Sequence, residues 1–409
     1  MQAASLPAIL KGMEAILEKF AGLRLWETSY SALDAYHGLP PSAPRFLAVE
    51  GSLIDLAKAL EGLEYRGLGY ADATLPTKGG DFHLRCVDSS LRGDLPSLFP
   101  QLELFREPGT RRFRDPQGIY GELRPPLLSP RPGVPPGSGE ALFDAAVLIS
   151  RYDYELPEGY SPGLPALFPV ETQRDLLALV LGGPRPERGL ELLRTSGFLA
   201  AFWPELALLP GTAQSKEHHP EGDAWDHTLE TFRHRKLPDL RLSLALLLHD
   251  VGKPRSDSAE GKRFARHAEI GTSIARRFLL RLGFAPSLVD DAAFLVRWHM
   301  LPAALPRLPV ERAREAIEDP RFPLLLELYR CDELSTFRGP DGYYEACASY
   351  RDWLRNSRNP WRDEEGKKLA RLYIEAPPPG LRAAVATGAK GRGVLRGGGG
   401  ARRGQRRSR

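Results

Sequence analysis

Cysteine is scarce: Cys86, Cys331 and Cys347 are the three in 409 residues. So few, and so widely spaced, they exclude a disulfide framework and a Cys-type zinc finger, and they fit a reducing compartment. Long apolar runs are missing as well. None approaches the roughly 20 residues needed to cross a bilayer, so no membrane partner is expected. The first residues lack a basic stretch leading into an apolar block, so the expectation is a cytoplasmic protein without a secretory leader. Acid is missing from residues 381–409, which hold nine Lys or Arg and neither Asp nor Glu. Removing those nine charges from the formal +4 leaves the rest of the chain at −5. The basic character is therefore local to the tail, and a whole-molecule argument from basicity to nucleic-acid binding fails.

What is present is an ordinary globular balance, 42% hydrophobic and 26% charged, in a length that suits two or three domains. Residues 6–25 place Ile9, Met13, Ile16 and Phe20 at helical spacing, and residues 1–44 read as an N-terminal helical extension. "FLAVEG" reads as a short buried strand, "LIDLAKALEGL" as a helix, "GDFHLRCVD" as a strand, and 102–124 as two short strands joined at "EPGTRR". Together they predict a small α/β head over 45–124. A Pro/Gly-rich linker follows at 125–140. The rest is helical in pattern: a neck at 141–210, a second helical domain at 211–345 and a C-terminal helical segment at 346–380. The Gly/Arg-rich tail, 381–409, is expected to be disordered and resembles segments that bind RNA electrostatically. The fold class is α+β.

The most informative string is "LRLSLALLLHDVGKP". An apolar helix runs into His249-Asp250 and stops at Gly252 and Pro254. A carboxylate held beside such a helix is costly unless a cation compensates it, and His nitrogen and Asp oxygen are both good ligands for divalent ions. His227 follows a helix start at Asp223. His267 shares a helical face with Ile270, Ile274 and Phe278, His299 with Leu288, Ala292 and Leu295, and Asp332 with Leu325 and Tyr329. Helices that each bury one stripe meet at one core, so these groups are expected to converge.

The order H…HD…H…H…D resembles the HD superfamily of metal-dependent phosphohydrolases. The resemblance implies that His227, His249, Asp250 and Asp332 ligate a metal, that His267 and His299 hold a second ion or contact phosphate, and that Lys253 lies near the substrate phosphate, with Asp250 and Lys253 as catalytic groups. With little thiol near the set, Mg, Mn, Ni, Fe and Zn are all open. A longer stretch, "ETQRDLLALVLGGPRPERGLELLRTSGFLAAFWPEL" and then "HHPEGDAWDHTL", resembles bacterial tRNA nucleotidyltransferases and poly(A) polymerases that carry an HD domain. Gly197-Phe198-Leu199 and Pro204-Glu205 match that family's neck signature.

That second resemblance implies a head with GG-x-V-R-D, D-x-D and an arginine-rich stretch. Here "VEGSLIDL" keeps Gly51 and Asp55 as nucleotide-binding candidates, while Glu50 and Ile54 replace the first Gly and the Arg. "RGLGYADATL" offers Asp72 alone for D-x-D, and "PSLFPQL" stands in place of the arginine-rich run. Asp115-Pro116 and Gly118 match a later family segment. The head is thus expected to keep a nucleotidyltransferase-like fold with degenerate chemistry. The resulting expectation is a divalent-metal phosphohydrolase acting on a nucleotide, a cyclic phosphodiester or an RNA end, with tRNA as a possible partner. The alternatives are an active RNA nucleotidyltransferase, disfavoured on the missing motifs, and a non-catalytic RNA-binding protein.

Overall fold

The computed structural model describes residues 22–77, 79–91, 97–124, 126–131, 139–212, 222–256, 266–336 and 339–356. A six-stranded mixed sheet opens the chain and a helical body completes it, so the α+β class holds. The strands are β1 (Arg24–Thr28), β2 (Arg45–Glu50), β3 (Ala73–Leu75), β4 (Phe82–Val87), β5 (Phe105–Arg106) and β6 (Phe113–Arg114), in the spatial order β3-β4-β2-β1-β5-β6. β2 and β4 pair in parallel, with Leu47 opposite Leu84, and every other pair is antiparallel. The apolar run Phe46-Leu47-Ala48-Val49 is buried throughout because β2 is covered on both faces. Leu47 and Val49 pack with Leu56 of helix α2 (Leu53–Ala59), while Phe46 joins the main core with Tyr30 and Leu33 of helix α1 (Ser29–His37).

β1 and α1 correct the sequence reading of 1–44 as a helical extension. "RLWET" runs from exposed Arg24 to buried Trp26, Glu27 and Thr28 and supplies an inner strand of the sheet, antiparallel to β2. The proposed helix at Ile9, Met13, Ile16 and Phe20 lies outside the described residues, as do 357–409 and with them the Gly/Arg tail. The expected linker is also shorter than read. Leu128 is fully buried and its N–H donates to Glu155 O, and helix α3 (Gly139–Arg151) starts at Gly139.

The helical body is built from α4 (Val170–Gly182), α5 (Pro186–Thr195), α6 (Phe198–Phe202), α7 (Ala224–Arg233), α8 (Leu240–Leu248), α9 (His267–Arg281), α10 (Pro286–Trp298), α11 (Leu301–Ala304), α12 (Val310–Ile317), α13 (Phe322–Leu334) and α14 (Asp341–Asn356). One apolar cluster runs from Tyr30 and Phe46 through Phe143, Leu177 and Trp203 to Leu246, Phe278 and Tyr350, so head and body share a core. Buried polar contacts fix the join. Arg151 donates to both carboxylate oxygens of Asp34, at 2.6 and 3.0 Å, and Tyr152 donates to the same group. Asp175 of α4 accepts from Tyr70 at 2.7 Å and meets His83 Nε2 of β4 at 2.8 Å. No helix among the described residues is long and apolar enough to cross a membrane.

Candidate metal centre and head cleft

Local sequence explains why the His and Asp groups meet. Asp223 and Asp239 cap α7 and α8, each accepting two backbone N–H groups, which fixes where those helices begin. α8 is apolar on all sides and buried, and His249-Asp250 follow it directly. Gly252 then allows a close crossing. A Cβ there would lie 2.1 Å from His267 O and 2.6 Å from Gly271 N, so only glycine lets α9 start against this turn. That crossing sets His267 Nε2 at 3.6 Å from Asp250 Oδ1.

Two triads result: His227, His249 and Asp332, and Asp250, His267 and His299, each with donor atoms within 4.8 Å of one another. All six sequence-predicted ligands are thereby brought together. His227, His249, Asp250, His267 and His299 are buried, and Asp332 is partly exposed. Lys253 Nζ sits 2.5 Å from Asp250 Oδ2.

The tautomers make the set informative. His249 Nδ1–H donates to Leu246 O and His299 Nδ1–H to Val296 O, both at 2.8 Å. Ser335 gives its hydroxyl proton to Asp332 O, so its Oγ accepts from His227 Nδ1–H at 3.1 Å. Three Nε2 lone pairs are therefore turned inward. His227 Nε2 faces Asp332 Oδ1 at 2.9 Å, His299 Nε2 faces His267 Nε2 at 3.0 Å, and His249 Nε2 lies 3.2 Å from Asp250 Oδ2 without hydrogen-bond alignment. Lone pairs facing lone pairs repel unless a cation lies among them. Protonating the rings is opposed by burial, which with the neighbouring His249 and His267 pushes His299 down to about 3. Burial alone would raise Asp250 and Asp332, and positive charge beside them lowers both: His249 and Lys253 at Asp250, and a hydrogen bond and charge from His227 at Asp332, a charge that the buried rings carry only when protonated and that a cation among neutral rings would supply instead. On the set's two buried atoms without a hydrogen-bond partner, His249 Nε2 and Asp250 Oδ2, the donor set fits a divalent ion. Ser335, which orients His227, was missed in the sequence; its signal was a hydroxyl one helical turn beyond Asp332.

The head differs. Gly51 adopts φ +147°, a conformation that favours glycine, and turns the chain from β2 into α2. Asp55 is exposed and closes a capping box, its Oδ2 accepting from Ser52 N–H at 3.0 Å and Ser52 O–H at 2.6 Å. Those two hydrogen bonds lower its pKa. Asp72 accepts from Cys86 N–H at 2.7 Å. Among the described residues no head group of three carboxylates or histidines lies close together, so the head offers no preformed three-ligand metal site. A cleft of about 910 Å3 does open beside the Gly51 turn, lined by Arg24, Trp26, Glu50, Ser89, Arg114 and Asp115 among others. Glu50 accepts from Trp26 Nε1–H at 2.9 Å on its wall.

Residues 225–336 match the model of the HD domain. The CC-adding tRNA nucleotidyltransferase of Thermus thermophilus is 36% identical over 241 residues, covering 55% of this chain and 50% of that protein. The A-adding tRNA nucleotidyltransferase of Deinococcus radiodurans is 38% identical over 186 residues, covering 42% and 41%. The chain carries an HD domain and is homologous to tRNA nucleotidyltransferases. It spans about half the length of the curated relatives it matches. Among solved structures, the Bacillus stearothermophilus CCA-adding enzyme in complex with CTP aligns over 92% of this chain and 91% of that one, at 15% identity and a TM-score of 0.49. The sequence relatives overturn the expectation of a phosphohydrolase with disfavoured nucleotidyl transfer, since they are named as CC-adding and A-adding tRNA nucleotidyltransferases. The physical reason for the error is that the metal motif is compact and legible, whereas the head's chemistry was judged on short motifs alone. Trp225, two residues before His227, is a buried core residue whose Nε1–H donates to Glu191.

Proposed function

We propose that the protein is a template-independent RNA nucleotidyltransferase of tRNA 3′-end processing. In this reaction the terminal 3′-hydroxyl attacks the α-phosphorus of CTP or ATP, one P–O bond forms, and the bond to pyrophosphate breaks. The observation that carries the reading is the sequence similarity to CC-adding and A-adding enzymes. The head cleft is compatible with it. Arg24 and Arg114, with Glu50 before the Gly51–Ser52 turn, line a space large enough for a nucleoside triphosphate, and cationic forks suit polyphosphate. Asp55 stands at the same turn.

In this reading the helical body's set, His227, His249, Asp250, His267, His299 and Asp332, holds a divalent ion that joins α7, the α8 turn, α9, α10 and α13. Four imidazoles favour Mn, Fe, Ni or Zn over Mg, which prefers oxygen ligands. Such an ion neutralises the buried carboxylates and supplies a Lewis-acid centre. Lys253 balances Asp250 from the opposite side.

The deciding experiment incubates the purified protein with labelled CTP or ATP and a tRNA lacking its 3′-terminal nucleotides. Incorporation with stoichiometric pyrophosphate release is expected, reduced at least tenfold by Arg114→Ala. No incorporation from either nucleotide, in Mg or Mn, would sink the reading.

A further inference from the structure

The outer surface of the head, beyond the cleft, carries a second feature. β5 and β6 form a hairpin whose turn and following strand expose Arg111, Arg112 and Arg114. None of the three guanidiniums enters an ion pair or hydrogen bond among the described residues. The neighbouring carboxylates are already engaged. Asp115 accepts from Ile119 N–H at 2.7 Å and Tyr120 N–H at 2.9 Å, Glu107 accepts from the Thr110 hydroxyl, and Glu27 takes Arg106. Unpaired guanidiniums gathered on one short hairpin repel one another, which favours an anionic partner.

Aromatic rings lie among these charges. Phe113, on β6, packs edge-on against Tyr36 of α1 with centroids 5.8 Å apart, and the Arg106 guanidinium lies 6.0 Å from the Phe113 centroid. Tyr36 and Tyr120 are 36% and 45% exposed, so part of each side chain reaches solvent. Arg114 belongs both to this surface and to the cleft wall.

Exposed rings interleaved with unpaired arginines are what a single strand of nucleic acid requires, a π-face for each base and a cation for each phosphate. A protein partner with an acidic face would use the arginines and leave the tyrosines idle. We infer that Tyr36, Phe113 and Tyr120, with Arg111, Arg112 and Arg114, form a docking surface for a single-stranded RNA segment that continues past Arg114 into the cleft. The inference rests on the nucleotidyltransferase reading only for the choice of RNA end; the surface itself is read from charge and exposure.

The test measures binding, not catalysis. The full chain is titrated into a fluorescent single-stranded RNA of about ten nucleotides over a range of salt. The tail is retained in every variant, so its contribution cancels. Replacing Arg111, Arg112 and Arg114 together by Ala should weaken binding by about tenfold or more at low salt and flatten the slope of log K against log salt by about 2, near 0.7 for each phosphate released. Tyr36→Leu with Tyr120→Ala should weaken binding roughly 5- to 150-fold per lost stack and leave the slope unchanged. Arg307→Ala with Arg312→Ala, exposed cations of the helical body, should alter neither by comparison. Unchanged affinity and slope in the triple arginine variant overturn the inference. So does a flattened slope with no effect of the tyrosine pair, which marks a protein-type or generic polyanion contact. Wild-type protein that binds RNA here but incorporates no nucleotide refutes the enzymatic reading and leaves the docking surface standing.

Discussion

The head and the helical body arrive at opposite states. In the body, six ligand-type side chains from five segments converge, three imidazoles have their outer nitrogens tied to oxygen acceptors, and the inner lone pairs face one another. In the head, Asp55 and Asp72 lie near the right turn but are occupied by backbone N–H groups, and an arginine-rimmed cleft takes the place of a carboxylate cluster. The difference separates two kinds of evidence. A metal centre announces itself through unsatisfied atoms, because burial makes bare lone pairs costly. An open cleft leaves its lining in water, with nothing unsatisfied to announce what it binds.

The largest effect expected is at the body's centre. Purified protein should carry at least one divalent ion per chain. His249→Ala or Asp250→Ala should release it, and Asp250→Ala should destabilise the body by about 3–5 kcal/mol, since it strips charge compensation from a buried cluster. Wild-type protein that takes up no Mn, Ni, Fe or Zn on titration breaks the comparison from the body's side. The join between the two regions ranks next. Asp34→Ala leaves the Arg151 guanidinium, 3% exposed, without its bidentate partner, and should cost about 3–5 kcal/mol. Denaturant unfolding would show it as a lower midpoint; the head should loosen first, because β2 and α1 lose their anchor on α3.

These features were not equally legible. β2, β4 and the hairpin strands could be read from short apolar runs closed by Gly, Pro or Asp, and α8 from its unbroken leucines. β1 could not, because five residues that follow a helical pattern carry too little alternation to compete with it. The six His and Asp groups of the body were legible because they sit on, or directly after, apolar helical stretches, where a polar side chain contradicts its neighbours. Ser335 and the Arg151–Asp34 pair were not, since a hydroxyl or an ion pair on a helix resembles ordinary surface until the fold buries it. Tyr36 and Tyr120 were hidden for the converse reason: an isolated tyrosine in sequence gives no hint that the fold will leave it exposed beside arginines.

A third expectation concerns pH. Asp144 of α3 is fully buried and accepts from Tyr30 O–H at 2.5 Å, and burial pushes its carboxyl up to about 7, with Glu140 adding to the effect. A carboxyl raised above its unfolded value of about 3.8 favours folding while protonated, so its contribution is full below pH 4 and is lost as pH rises through 7. Asp144→Asn should therefore stabilise the protein by up to about 4 kcal/mol at pH 8 and by almost nothing at pH 4. Equal effects at both pH values would show that Asp144 is ionised throughout and that Arg85 compensates it.

The smallest effect decides what Asp55 does. Ser52 and Asp55 satisfy each other's backbone N–H groups at the start of α2, and losing either partner of such a box costs about 1 kcal/mol. If the carboxylate is a cap and nothing more, Ser52→Ala and Asp55→Ala should lower the melting temperature alike and change nucleotide incorporation alike, by less than about threefold. That is the outcome expected from the geometry, because the two hydrogen bonds to Oδ2 hold the carboxylate within its own turn and leave Oδ1 alone for a substrate. Incorporation abolished by Asp55→Ala but spared by Ser52→Ala, at matched stability, would reverse the conclusion. It would mean that the capping geometry is a resting state from which the carboxylate swings to the reacting nucleotide, and that the head's chemistry assembles only when the substrate arrives.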